Sequence, residues 1–363
     1  MDRCFIELIK ASLGNQHQLS NTPSEVEWEA IFEMAAKQSL VGICFVGLQM
    51  LGADSDDGFE KIGISEELYL DWMGITAQIS MKNETVNQQC ATLQKRLAAH
   101  GLRSSILKGQ AVAALYGEEL CGFRQSGDID IFVDCGREKA IEYARSIQGD
   151  VDWDYKHLHL KAFDDTAVEI HYVPEVFLNL RKNRKLQKWF KEPDVASSIF
   201  CTSGDMVCPS VEFNLFYILL HTYRHFLYEG VGMRQLIDYY FVLRKDEVDD
   251  PMRQRTVKTI SLFGMTRFTS GIMWIMKEVF GLSEQFLLCE PDKKEGCYIL
   301  NEVMAGGNFG FHDERLKSGA KGKKGTIQKI LKHNLHLLTH YPGDTLWAPI
   351  WIVYHWCWKR LQR

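Results

Sequence analysis

The chain has 363 residues, of which 46% are hydrophobic and 25% are charged. These ordinary globular values exclude a chain dominated by disorder, and the length suggests two or three domains with a sizeable core. The net charge of −5 excludes a generic nucleic-acid coat.

The opening Met1-Asp2-Arg3-Cys4-Phe5 carries no signal-peptide pattern. Residues 1–100 read as helical. Ser24 and Glu27 form an S-x-x-E capping box ahead of an amphipathic run from Trp28 to Leu51. Asp54 to Gly58 is a polar break, Ser65 caps a helix over Glu66–His100, and Gly101 stops it. After Gly101 the pattern turns mixed. Ser104–Leu107 is a strand candidate, Gly109–Tyr116 a helix and Glu118–Gly127 a loop. Ile129–Val133 is an apolar strand interrupted by Asp130, and Arg137–Ile147 is a helix. His157–Phe163 and Ala167–Val173 form a hairpin around Asp164-Asp165.

Helices return over Glu212–Tyr228, Met233–Arg244, Thr256–Phe280 and Cys297–Met304, and Ser318–Gly325 reads as a Gly/Lys loop. The longest apolar run, Trp347–Trp358, contains Pro349 and His355 and falls short of the ~20 apolar residues of a spanning helix. Ten cysteines lie between Cys4 and Cys357 with no C-x-x-C pair or zinc spacing, so reduced thiols in a cytoplasmic protein are the simplest reading. From Arg315 to Arg363 there are ten Lys/Arg and one acid, Asp344, a net +9 that leaves −14 on the rest. Such asymmetry implies an anionic partner for the tail, or a basic face opposite an acidic domain.

The chemistry concentrates in Arg124-Gln125-Ser126-Gly127-Asp128-Ile129-Asp130-Ile131. Residues i and i+2 of a strand share a face, so Asp128 and Asp130 point the same way. Two carboxylates on one buried face repel, and a divalent cation removes that cost. Mg²⁺ takes one or two carboxylates, water and substrate phosphates. Glu169, in Val168-Glu169-Ile170-His171, is the candidate third acid. If its strand lies beside the Asp strand the three carboxylates converge, and His171 supports Glu169. Upstream, Leu107-Lys108-Gly109 joins a strand to a helix. Gly109 there lets a phosphate approach backbone N–H groups, and Lys108 adds a point charge. No P-loop is present.

These motifs resemble the polymerase-beta-like nucleotidyltransferase superfamily, and within it the bacterial uncharacterised nucleotidyltransferase family. Leu-Lys-Gly, Arg-x-Ser-x-Asp-Ile-Asp and an acid-x-His strand carry the likeness. His221-x-x-x-His225 and Gly232-Met233-Arg234 extend it into the helical part. The resemblance implies an α+β fold: a small mixed-sheet core over 101–205, flanked by N-terminal helices over 1–100 and a C-terminal helical domain over 206–363. The site is expected in the cleft between core and helices. By the same resemblance Asp128, Asp130 and Glu169 are catalytic metal carboxylates, Gly109 sits at the phosphate turn, and Arg124 and Ser126 line the entrance. The activity implied is Mg²⁺-dependent transfer of an NMP from an NTP, ATP first, to a hydroxyl acceptor, with release of pyrophosphate; Mn²⁺ is the alternative ion.

Other readings stay open. An Asp-x-Asp glycosyltransferase would hold an NDP-sugar in a similar way, and a degenerate transferase could act as a binding module, since Gln110 and Glu169 depart from the usual residues. His225 and Arg234 are candidates to reach the nucleotide. The plain alternative is a polar core contact for His221 and His225, and an i,i+4 pair for Arg234 with Asp238. His157 and His159 read as a solvated face. The tail, with Trp347, Trp351, Trp356 and Trp358 ahead of Lys359 and Arg360, reads first as a closing helix and second as a peripheral membrane contact. Arg181–Lys185 reads as solvated, with acceptor binding as the alternative. The acidic bulk weighs against a nucleic-acid partner. The acceptor and the oligomeric state are not legible.

Overall fold

A computed structural model describes residues 2–53, 62–316 and 322–362. The expected polar break over Asp54–Gly58 and the start of the Gly/Lys stretch, 318–321, lie outside the described residues. The chain divides into two compact units. One comprises Met1–Thr85, Val112–Ser126 and Gly230–His312; the other comprises Val86–Ala111, Gly127–Glu229 and Asp313–Arg363. Helices predominate and the sheets are small, an α+β fold.

The first unit is helical. Glu27 Oε2 accepts from the Ser24 backbone N–H at 2.8 Å, closing the start of the Glu25–Lys37 helix as its spacing predicts. The expected continuous run from Trp28 to Leu51 is broken, because Ser39 takes the left-handed conformation (φ 56°) and a new helix starts at Val41. The buried Gln38 side chain explains the break. It donates to the Val303 carbonyl at 3.1 Å and accepts from the Met233 N–H at 2.9 Å, satisfying backbone groups of two other helices. The expected Thr256–Phe280 helix is likewise divided at Gly264 (φ 66°) into Asp250–Leu262 and Thr266–Trp274.

Gly47 lies where the Val41–Leu48 and Asp2–Ser12 helices touch: an added Cβ would stand 2.1 Å from the Leu8 carbonyl oxygen. That neighbour is backbone, so Gly47→Ala is expected to force the helices apart and cost about 1–3 kcal/mol. Thermal denaturation would register this as a lower Tm, and an unchanged Tm would refute the close approach.

The second unit holds the sheet. Its strands are β1 (Ser104–Ile106), β2 (Ile129–Val133), β3 (His157–Leu160) and β4 (Val168–His171), in the order β1-β2-β4-β3. β2 runs parallel to β4 and antiparallel to β1, while β3 and β4 form the expected antiparallel hairpin. Ile129, Ile131, Val133, Val168, Ile170, Leu158 and Leu160 all enter one core with Ala140 and Ala144 of the Gly136–Gln148 helix. Each buried aliphatic side chain contributes roughly 1.5–3 kcal/mol, and a one-residue slip would turn its whole strand over. The apolar alternation thus fixes which residues occupy the opposite face.

Two short features differ from expectation. A hairpin of β5 (Cys201–Ser203) and β6 (Met206–Cys208) has strands too short to show a period-2 signal. The expected Gly109–Tyr116 helix is a single turn, Gln110–Ala113.

The end of the chain is helical, over Gly322–Leu337 and Trp347–Leu361. Residues 322–325, expected in a loop, form the first turn of the former. In the latter, Trp358 meets Trp153 and Tyr155 with ring centroids at 5.7 and 5.1 Å, and Trp351 meets Tyr155 at 5.4 Å. One face of the tail therefore packs, as the closing-helix reading expects, while Val353 and Trp356 stay exposed. Among the described residues no helix is long and apolar enough to cross a membrane.

Candidate active site

The polar face of the sheet gathers the acids. Asp130 of β2 and Glu169 of β4 are register partners in the parallel pair, so their side chains stand side by side. His171, fully buried two residues along β4, joins them: its Nε2 lies 2.7 Å from Asp130 Oδ1 and 3.4 Å from Glu169 Oε2. Both neighbours are carboxylates, so Nε2 carries the proton and donates. Lys108 Nζ pairs with the same Asp130 Oδ1 at 2.9 Å. Asp128 is exposed just before β2 and stands outside the close group of Asp130, Glu169 and His171, whose ligand atoms lie within 4.8 Å of one another.

The bend before this face is set by Gly109, whose φ of 56° is left-handed. Leu107 N–H donates to the Asp130 carbonyl at 2.9 Å, fastening the bend to β2. Gln110 is buried and donates to Asn87 Oδ1 at 2.7 Å, so it is spent within the protein.

The charges are unevenly balanced. Burial opposes ionisation of Asp130, but Lys108 and His171 outweigh it and hold the carboxyl well below its usual range. Burial likewise opposes ionisation of Glu169, and the hydrogen bond from His171 helps bring it down to about 2. Asp128 moves the other way. The charge of Asp130 raises it, so the acid pair holds more negative charge than Lys108 relieves.

A second buried cluster sits deeper in the same unit. Glu175 is fully buried, and its carboxylate takes Nδ1–H of His221 at 2.7 Å, Arg224 Nε at 3.1 Å and Lys156 Nζ at 3.4 Å. The Arg224 contact is ionic rather than an aligned hydrogen bond. His225 Nδ1 lies 2.6 Å from Glu229 Oε2, and Arg224 Nη2 donates to its Nε2 at 3.0 Å. The plain reading of His221 and His225 as buried polar contacts matches these partners. Glu175, Lys156 and Arg224 were not singled out from sequence. The one available signal is His221, Arg224 and His225 at i, i+3 and i+4 on an otherwise apolar helix, Val211–Tyr228.

The remaining candidates belong to the first unit. Arg124 is buried and bidentate to Asp238, with Nε–Oδ1 at 2.6 Å and Nη2–Oδ2 at 2.8 Å, and Tyr116 Oη donates to the same Asp238 at 2.7 Å. The alternative Arg234–Asp238 helix pair gives way to this fork; Arg234 Nη1 instead donates to the Gln125 carbonyl at 2.6 Å. Ser126 is partly exposed. His157 also differs from expectation. It is largely buried beside Glu169, whereas His159 is exposed, as expected.

The sheet thus pairs an Asp strand in parallel with a Glu-x-His strand and sets a Lys-Gly bend against the Asp strand. The model of a family described as "Uncharacterised nucleotidyltransferase" matches residues 24–281, and the chain belongs to that family. No curated protein matches the chain.

Proposed function

We propose that the protein transfers an NMP from an NTP, ATP first, to a hydroxyl acceptor with Mg²⁺ as the metal and Mn²⁺ as its substitute. The observation that carries this reading is the parallel register of Asp130 with Glu169, which sets two carboxylates side by side, with Asp128 exposed two residues before Asp130. The donor set suits the ion: carboxylate oxygens are what a hard cation prefers, and Asp128 is raised by a neighbouring negative charge that a cation would relieve. Asp128, Asp130 and Glu169 would hold it. When bound, such an ion neutralises phosphate charge and orients the displaced groups.

The protein's own groups supply the rest. Lys108 can turn from Asp130 toward a phosphate oxygen, and the Gly109 bend offers backbone N–H groups without a side chain in the way. His171 fixes the Asp130 carboxylate by its 2.7 Å hydrogen bond. In the reaction the acceptor oxygen bonds to the α-phosphorus, the α–β bridging bond breaks, pyrophosphate leaves, and the acceptor proton passes to a carboxylate of this face. The ten free thiols fit a cytoplasmic site of action.

ATP is expected to raise the Tm only when Mg²⁺ is present, by the equivalent of about 2.7 kcal/mol at a concentration 100 times Kd. The Asp128→Ala/Asp130→Ala double variant is expected to lose that response. A wild-type protein indifferent to Mg²⁺ and ATP together would overturn the proposal.

A further inference from the structure

The far end of the same sheet face has a different chemistry. His157 and His159 of β3 project beside Glu169, with His157 Nδ1 at 3.4 Å from Glu169 Oε2 and His159 Nδ1 at 3.9 Å from Glu169 Oε1. One ligand atom from each of the three lies within 4.8 Å of the other two. Donors bound at about 2.0–2.2 Å around a four-coordinate ion are separated by roughly 3.4 Å, so the His157–Glu169 pair already has that spacing and His159 closes to it by a side-chain rotation.

Two further features support it. His157 Nδ1 is buried and makes no hydrogen bond, although it faces the carboxylate 3.4 Å away. A buried acceptor nitrogen left in this way is costly unless something occupies the gap. On the other side of the ring, His157 Nε2 faces Asp154 Oδ2 at 3.7 Å. Asp154 is itself fixed, accepting backbone N–H bonds from Lys156 at 2.7 Å and His157 at 3.0 Å. That separation exceeds a hydrogen bond, but it places a carboxylate on the side of the ring where the outer support of a metal-bound imidazole stands.

We propose that His157, His159 and Glu169 form a second divalent-cation position, selective for a borderline transition ion such as Zn²⁺, Co²⁺ or Mn²⁺ over Mg²⁺. Imidazole nitrogen suits these ions, whereas Mg²⁺ keeps to oxygen. His159, half exposed, provides the entry side. Glu169 then serves both positions. The inference shares that residue with the proposed transfer site and does not require transfer to occur.

The test is a Co²⁺ titration of the untagged full chain, followed by visible absorption with Mg²⁺ in large excess. Wild type is expected to develop ligand-field bands that saturate near one equivalent and persist against Mg²⁺. His157→Ala and His159→Gln are each expected to weaken Co²⁺ binding at least ~10-fold, and Asp130→Asn to keep the bands. His159→Gln, at a half-exposed position, guards against misfolding, and circular dichroism checks both variants. Absence of bands in wild type, or bands unaltered in folded His159→Gln, would overturn the second position. Failure of the transfer reading would look different: intact Co²⁺ bands with no response to Mg²⁺ and ATP.

Discussion

Asp130→Asn is expected to reduce nucleotidyl transfer by at least ~10³-fold. The carboxylate is nearly fully buried beside Glu169 and holds both Lys108 and His171. On the proposed function, losing this carboxylate withdraws several kcal/mol of stabilisation of the phosphoryl charge, at about 1.4 kcal/mol per tenfold. The substitution also leaves Lys108 without its ion pair, so a lower Tm alone would not identify a catalytic role. Asp128→Asn separates the two effects. Asp128 is exposed, and the negative charge of Asp130 is the first cause that raises it, so removing its charge relieves repulsion in the folded protein. It is expected to leave the Tm level or raise it while lowering transfer comparably, the pattern of a site that holds function at the expense of stability. The assay is transfer from α-labelled ATP, with pyrophosphate release as the second readout. A folded Asp128→Asn protein with wild-type transfer would remove Asp128 from the site.

The shared face of Asp130 and Glu169 was legible because the apolar alternation of β2 and β4 is unbroken. Ile129, Ile131, Val168 and Ile170 must enter the core, so Asp130 and Glu169 cannot. The same alternation misled for His157. It shows which residues avoid the apolar core, not whether the other face meets water or another polar layer. The Arg124–Asp238 fork joins residues 114 positions apart, and nothing local distinguishes it from the i,i+4 pair available to Arg234. The break at Ser39 was illegible for a similar reason: Gln38 bonds Val303, 265 residues away. Such pairings belong to tertiary structure, where local propensity is silent.

Glu175 presents the largest stability effect. Its carboxylate is the shared counter-ion of the buried Lys156 and the mostly buried Arg224. Glu175→Gln keeps the shape and removes the charge, leaving two buried cations without it, and is expected to cost about 3–5 kcal/mol. The pH dependence follows from the same contacts. Burial opposes ionisation of Glu175, but Lys156, Arg224 and His221 hold its carboxyl well below the usual range. A depressed acid stabilises the fold above its unfolded value of about 4.3, and that contribution drains away as pH falls below it. His221 adds to this loss from higher pH. Burial, then the charges of Lys108 and His225, push it well below its usual range, so it folds neutral. Its share is complete above about pH 6.5 and declines as acid protonates the unfolded chain in preference. Urea denaturation of wild type is therefore expected to show stability falling from about pH 7 downward and more steeply below about pH 5. Glu175→Gln should start lower and lose the steeper acid segment. A variant whose stability tracks wild type in parallel across that range would show that Glu175 is not the group holding the charges together.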